Sequence, residues 1–469
     1  MRYKTYCFGD LVEKWIDNRG KTPPLSENGI PLLEVKHLPE SNLYPKIVGT
    51  KFVDKETYDS WFRAYLEPND ILFSTVGTTA RVVMTPPTET VAIAQNILGI
   101  RFKKDLVDPW FMFYYMRGKQ FQHDIEARLV TTVQASIKRA DMVGIPIAVP
   151  QLDAQKELVH RVISLDHKIQ LNQDINQTLE QMAQALFKSW FVDFEPVKAK
   201  MAVLESGGSQ ADAMLAAMTA ISGKNADALA VFEREHPEQY AELKATAELF
   251  PLAMQDSELG EIPEGWTLSE IGAQIDIAGG ATPSTKTPDF WDNGDIHWTT
   301  PKDLSNVKDK ILLHTERKIT KAGLGKISSG LLPVNTVLMS SRAPVGYLAI
   351  AKVPVAINQG YIAMKCNKEL SPEFVLQWCS ANMPEIISRA SGTTFAEISK
   401  KNFNPIPLVK PPLELVKNYT KQVSAIYSLI ENTMRENNSL TQLRDTLLPK
   451  LLSGEITLPE AEQIISEEA

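Results

Sequence analysis

The side chains in this sequence that could do chemistry fall into one loose acidic pattern and two sets of polar loop groups. Pro288-Asp289 followed by Glu316-Arg317-Lys318 satisfies a PD…ExK pattern, in which carboxylates hold Mg²⁺ and a lysine assists the attacking water. So loose a match arises often in a chain of 469 residues, and the place in the first copy that corresponds to Glu316–Lys318, Thr50-Lys51-Phe52, has no ExK. The loop groups are more numerous: Arg19, Lys21, Lys36, Ser74, Thr75, Arg81 and Gln95, then Lys286, Lys302, Ser340, Ser341, Arg342 and Gln359. Lysine, serine and threonine can grip phosphates without reading sequence. Arginine or lysine matches guanine in the major groove, and glutamine matches adenine. The chemistry on offer is hydrogen bonding to a DNA duplex, to be weighed against the simpler reading that each residue is an exposed, solvated side chain.

The two sets correspond because the chain repeats itself. TTVQASIKRADMVGIPIAVP from Thr131 matches TTFAEISKKNFNPIPLVKPP from Thr393 with a one-residue shift. PNDILFST from Pro68 resembles VNTVLMSS from Val334, VAIAQN from Val91 resembles VAINQG from Val355, and RGKTPP from Arg19 echoes GGATPS from Gly279. Drifting offsets are what loops of unequal length produce between elements kept in order. A period this long excludes a solenoid.

Each copy ends in the same stripe. Leu158, Val162, Leu165, Ile169, Asn172, Asn176, Leu179, Ala183, Leu186 and Trp190 step by four and three. Tyr419, Val423, Ile426, Ile430, Thr433, Asn437, Leu440, Arg444, Leu447 and Leu451 repeat the pattern. A four-three spacing sustained this long is a coiled-coil signature. The units ahead of the stripes combine short β-rich runs such as DILFSTVG, RVVMT and TVLMSS with aromatic helical segments at DPWFMFYYM and SPEFVLQWC. Each is expected to open on an amphipathic helical turn region, FGDLVEKWID or TLSEIGAQIDI. The fold class read from this is α+β (mixed), with two tandem domains each followed by a long helix. The boundaries expected are 1–150 and 257–411 for the domains and 151–194 and 412–454 for the helices. Residues 195–256 read as an Ala/Glu-rich linker with helical pieces and no core of its own, and 455–469 as an acidic tail.

Composition is that of an ordinary globular protein, with 43% hydrophobic and 23% charged residues. The net charge of -8 is concentrated in the linker, where residues 196–264 carry twelve acidic and five basic side chains, and in the tail. The two globular units are left mildly basic, so the acidic total does not exclude a polyanionic partner. Cys7, Cys366 and Cys379 show no paired spacing, and the seven histidines, including His37, His123 and His297, show no metal spacing. No apolar run approaches the roughly 18 residues of a membrane span, and the N-terminus lacks the apolar core of a signal peptide. A reducing cytoplasm is the expected setting.

These strings resemble the specificity subunit of type I restriction-modification systems. GGATPSTKTPDFWDNGDIHWTTPKDL from Gly279, RGKTPPLSENGIPLLEVKHL from Arg19, LFKSWFVDFEPV from Leu186, ELGEIPEGW from Glu258 and LRDTLLPKLLSGEI from Leu443 carry the resemblance. Some members have a helical region ahead of the first domain, whereas this sequence starts directly in that domain. The resemblance implies two target-recognition domains that read the halves of an asymmetric DNA site, with the helices packed as an antiparallel coiled coil of pseudo-twofold symmetry. It implies as partners double-stranded DNA, two modification (methyltransferase) subunits and restriction/translocase subunits, with no membrane. It implies that S-adenosylmethionine, ATP and Mg²⁺ belong to those partners and that this chain binds no cofactor. In agreement, neither a [DNS]PP[YF] methyltransferase loop nor a P-loop is found in the sequence.

If the stripe centres coincide in an antiparallel pair, Asn172 lies opposite Asn437 and Asn176 opposite Thr433, polar pairs that would fix register at a cost in stability. Two other readings remain: a coiled-coil assembly scaffold without DNA readout, and a self-contained nuclease built on the acidic pattern.

Overall fold

The computed structural model describes residues 3–456 except 19, 41, 132–134, 306, 308, 343, 393–395 and 454. Arg19, parts of the two TT-initiated repeat strings and almost all of the acidic tail therefore lie outside the described residues. The chain divides into two compact units, Met1–Asn172 with Arg435–Ala469, and Gln173–Met434.

In the first unit Tyr3–Cys7 pairs antiparallel with Pro146–Pro150, tying the start of the domain to the strand that leads into its long helix. A four-stranded antiparallel sheet follows in the order Val12–Asp17, Ile97–Phe102, Ile71–Ser74, Val82–Met84. Its neighbour has the order Lys51–Val53, Ile30–Leu33, Ala92–Ile93, the last pair parallel. The run ILGIRF is buried at every position, as a central strand demands. Its one charge, Arg101, is neutralised by Asp70 at 2.8 Å and Glu67 at 2.6 Å. The aromatic helix Pro109–Arg117 starts where Asp108 accepts from the amides of Trp110 and Phe111, with Pro109 in the first turn.

The second unit repeats this plan. Thr267–Glu270 pairs with Pro407–Lys410. A five-stranded sheet runs Asp276–Ala278, Tyr361–Lys365, Val337–Ser340, Leu348–Ala351, Ile311–Leu312. A three-stranded sheet runs Arg317–Ile319, Ile296–Thr299, Ala356–Ile357, again with its last pair parallel. The helix Pro372–Ala381 has Ser371 as its cap and Pro372 in its first turn, the counterpart of Asp108 and Pro109.

The opening of each unit differs from the expected amphipathic helical region. FGDL and IGAQ are single turns between strands. Pairing with a strand far along the chain outweighs the local helical pattern, which is too short to form a stable helix alone.

The two stripes lie on helices Leu152–Phe191 and Leu413–Ser453. Each starts just after a proline-bearing strand end, where the residue before proline disfavours helix and the chain beyond is free to begin one. In the first unit Leu158, Val159 and Val162 share a core with Leu443, Leu447, Leu451 and the sheet residues Ile71, Phe73 and Ile100. In the second unit Ala183, Phe187 and Trp190 share a core with Tyr419, Val423 and Tyr427. Within each unit the residue numbers rise on one helix as they fall on the other, so the two segments are antiparallel.

Residues 195–248, expected to lack a core, form helices Glu195–Glu205, Gln210–Ser222, Ala226–Glu235 and Pro237–Glu248 around Ala217, Met218, Leu229 and Ala247. Alanine-rich faces let helices approach closely, so little apolar bulk is needed. The buried Lys200 ammonium donates to the carbonyls of Ala247 (2.7 Å) and Phe250 (2.6 Å), capping the end of the last helix.

Leu447 is 2% exposed and belongs to the core of the first domain although it lies near the chain's end. Leu447→Ala is expected to cost that unit about 2–5 kcal/mol. Hydrogen exchange should then accelerate in Ile97–Phe102 and stay unchanged in Val337–Ser340. Equal acceleration in both strands would contradict the division into units.

Candidate nucleic-acid interface

The matched loops emerge from matched strands. In the first domain the turn between Ile71–Ser74 and Val82–Met84 is closed by Ser74, whose hydroxyl donates to Thr78 O (2.6 Å) and accepts from Arg81 N (2.9 Å). In the second, Ser340 donates to Pro344 O (2.7 Å) and accepts from Tyr347 N (2.8 Å). Both serines are fully buried, and Ser341 is 2% exposed. The expectation that these three hydroxyls contact DNA is corrected: they are sealed inside the protein, and Ser74 and Ser340 satisfy turn backbone groups as serines at strand ends often do. Serine's hydroxyl suits either task, and sequence does not separate them.

The remaining candidates reach the surface to different degrees. Lys21 and Gln95 are exposed, and Thr75 is half-buried. Lys36 is exposed but pairs with Glu34 at 2.8 Å, as does Lys51, and the two ammonium groups draw the Glu34 carboxyl down to about 2. Arg81 is half-buried, donates to Leu38 O at 2.9 Å and lines a cleft of about 360 Å³ with Glu40, Tyr114, Arg117 and Arg444. In the second domain Lys286 is exposed. Lys302 bonds Glu316 at 2.9 Å, Arg342 faces Glu397 at 3.7 Å, and Gln359 accepts the Thr282 hydroxyl at 2.7 Å. A DNA phosphate at Lys36, Lys302 or Arg342 would compete with a carboxylate already in place.

The acidic pattern of the second domain is drawn into the same contacts. Glu316 is engaged by Lys302, and Asp289 sits in a single turn, Pro288–Phe290. Among the described residues no three His, Cys, Asp or Glu side chains are grouped to hold a metal ion. His297 Nδ1 lies 3.1 Å from the Thr315 hydroxyl, and burial, with Lys318 nearby, lowers its pKa. His37 Nδ1 accepts from Glu34 N at 2.9 Å. Both histidines are thereby committed to the local backbone and side-chain structure.

The long helices bring the polar stripe residues together. Asn172 is 1% exposed and donates to Asn437 Oδ1 at 2.9 Å and Glu436 Oε2 at 2.7 Å, within the first unit. Asn176 is fully buried and accepts from the Thr433 hydroxyl, within the second unit. The amide nitrogen of Asn176 has no partner among the described residues.

Larger polar junctions flank these pairs. In the first unit Asp166 accepts from the Tyr114 hydroxyl at 2.7 Å and from Arg444 at 2.6 Å. In the second, Glu180 accepts from the Tyr427 hydroxyl at 2.8 Å and Gln377 at 3.1 Å, and pairs with Lys310 at 2.8 Å. Burial and then the adjacent carboxylate push both phenols far up, so each remains a donor. Sequence reasoning did not single out these clusters. The signal available was Arg444 itself, a charged residue at a stripe position that should be apolar.

The comparisons with known proteins agree with this duplication. A family model described as a type I restriction modification DNA specificity domain matches residues 2–181 and again 263–442. The HindI specificity subunit of Haemophilus influenzae is 30% identical over 407 residues, covering 83% of this chain and 87% of that one. The putative MjaX specificity subunit of Methanocaldococcus jannaschii is 24% identical over 476 residues, covering 97% and 96%. A crystal structure of a type I restriction-modification S subunit from M. genitalium is 14% identical and covers 96% of each chain, with a TM-score of 0.47.

Asp166 and Arg444 have side chains only 5% and 17% exposed. Asp166→Ala is expected to destabilise the first unit by about 1–3 kcal/mol, because the buried Tyr114 hydroxyl loses its acceptor and Arg444 keeps only the exposed Asp445 at 2.7 Å. The double variant Asp166→Leu with Arg444→Met should recover the Arg444 share of that loss in urea unfolding, the Tyr114 hydroxyl remaining without its acceptor. Additive losses would show that the two groups are not coupled.

Proposed function

The chain belongs to the type I restriction-modification DNA specificity family, and from that membership we propose that it is the sequence-reading, non-catalytic subunit of such a complex. Each recognition domain takes one half of an asymmetric, bipartite DNA site. The observation that carries this reading is the family model matching twice on two domains that share the order of four strands in their main sheets and whose exposed loops differ in sequence. Identical domains would read a palindrome, whereas domains with different loops read two different half-sites.

The long helices serve as the spacer. Leu158 to Trp190 is 32 steps, about 48 Å at ~1.5 Å per residue. Half-sites read from one face of the duplex lie ~34 to 36 Å apart, so helices of this length suffice. The inward polar pairs, Asn172 with Asn437 and Asn176 with Thr433, would hold the register of the two helices. Two modification subunits, one for each pseudo-repeat, would supply adenine methylation with S-adenosylmethionine. Restriction subunits would bring ATP, Mg²⁺ and cleavage. The cytoplasm is the compartment proposed for this assembly; no described helix is long and apolar enough to cross a membrane.

Phosphate positioning falls in this reading to Lys21 and Lys286, which are exposed, supported by Lys36 and Lys302 once their carboxylate partners yield. A nuclease centred on Glu316 is disfavoured by its pairing with Lys302.

Single-molecule methylome sequencing of a host with and without the gene should show loss of N6-methyladenine at one bipartite motif. Replacing residues 1–150 by the domain of another family member should change one half of that motif and leave the other. Loss of no motif, or a change in both halves, would overturn the proposal.

A further inference from the structure

The second recognition domain contains Arg317, Arg342 and Arg389. Arg342 faces Glu397 at 3.7 Å and Arg389 bonds Glu385 at 2.6 Å. Arg317 is exposed at the start of strand Arg317–Ile319, and its guanidinium has neither a carboxylate nor a hydrogen-bond partner among the described residues. It lies instead over the Trp291 ring, 3.7 Å from the centroid, with Trp298 at 5.5 Å.

Those rings are held firmly. They meet edge to face at 5.0 Å. Trp291 Nε1 donates to Ser284 O at 2.9 Å and Trp298 Nε1 to Ala281 O at 3.2 Å. Trp298 belongs to strand Ile296–Thr299, and the loop that carries Trp291 is sealed to the sheet, with Ala281 N donating to Ile357 O at 3.0 Å and Thr320 Oγ1 to Asp289 O at 2.6 Å. A Cβ on Gly280 would fall 2.0 Å from Ile357 O, so only glycine permits that approach. Gln359, two residues beyond strand Ala356–Ile357, is bonded to Thr282 of the same loop.

The first domain is built differently here. The offset between the repeats is 260 at Arg19 and Gly279 but 266 at strands Ile30–Leu33 and Ile296–Thr299, so the second loop is six residues longer. The longer loop contains the turn Pro288–Phe290 and Trp291. The strand in the place of Arg317–Ile319 is Lys51–Val53, and Lys51 is bonded to Glu34 at 2.8 Å.

A guanidinium stacked on an indole has given up rotamer freedom in advance and keeps its planar N–H fork free. That fork matches the O6 and N7 acceptors of guanine. A phosphate also accepts a fork, but phosphate contacts need no difference between the two domains. At this edge strand the first domain has Lys51 paired with Glu34 instead, and its own arginine over an indole, Arg139 on Trp15, lies elsewhere and farther from the ring at 5.4 Å. We propose that Arg317, oriented by Trp291, reads a guanine in the half-site of the second domain. The proposal rests on the DNA-recognition reading above.

The test uses the full chain produced with its modification subunits, as wild type, Arg317→Ala and Arg317→Lys. Readouts are the methylated motif and binding to target and scrambled duplexes across a salt series. In Arg317→Ala, one G·C position should become degenerate, in the half-site that a swap of residues 1–150 leaves unchanged. Target affinity should fall about 10- to 100-fold, with scrambled-duplex affinity nearly constant. Arg317→Lys keeps the charge without the fork, should lose the same base discrimination, and decides the matter if the alanine variant yields no methylation. An unchanged motif, or a uniform loss on all duplexes with a shallower salt slope, would overturn the assignment to Arg317 while leaving the subunit's function standing. A wild-type chain that directs no motif would remove both.

Discussion

Two carboxylates on the first long helix, Asp166 and Glu180, carry the constraint on which both units depend. Each is buried where a recognition domain meets the helices, and each is satisfied by groups from more than one element. Asp166 joins Tyr114 of the aromatic helix to Arg444 of the distal helix. Glu180 joins Gln377 of the equivalent aromatic helix to Tyr427 of the distal helix. A buried carboxylate without such partners would cost several kcal/mol. The directional bonds therefore admit few arrangements of domain on helix, a demand that apolar contact by itself does not make. The apolar stripe drives the helices together, and the polar junctions specify how each domain is seated on them.

The same economy separates scaffold from readout in the domains. The paired turns closed by Ser74 and Ser340 use one device twice, and both serines are withdrawn from the surface. What remains exposed differs between the copies: an ion-paired lysine on the edge strand of the first domain, a tryptophan-stacked arginine on that of the second. Two copies of one fold thereby present unlike chemical faces, as a reader of an asymmetric site requires. Between the family-matched segments, the chain adds a helical insert with a small core and a buried lysine cap. Alanine-rich helices with little bulk can pack when their termini are satisfied, which is why composition understates the order of this region.

Much of the architecture was legible in the sequence because it rests on local period and on repetition. The four-three stripe marks both long helices, since a helix returns a side chain to the same face every three or four residues. The recurrence of whole strings marks a tandem fold without any knowledge of its sheets. The openings of the domains read as helical regions in sequence because strand pairing with a distant segment, Val12–Asp17 with Ile97–Phe102 and Thr267–Glu270 with Pro407–Lys410, leaves no local periodic trace.

Sequence by itself thus determined that the chain is a duplicated α+β protein on long helices, with the motifs of a DNA-specificity family and the polar residues that interrupt its apolar stripes. Tertiary structure alone decided which loop side chains face water. Ser74 and Ser340 were indistinguishable in sequence from surface hydroxyls until the turns they close were seen. Arg317 was one charge in a loose acidic pattern until the fold laid it on Trp291, 26 positions earlier. The physical reason is the same in each case. Periodicity records what a residue's own element requires, whereas exposure, pairing and stacking depend on which distant elements fold against it.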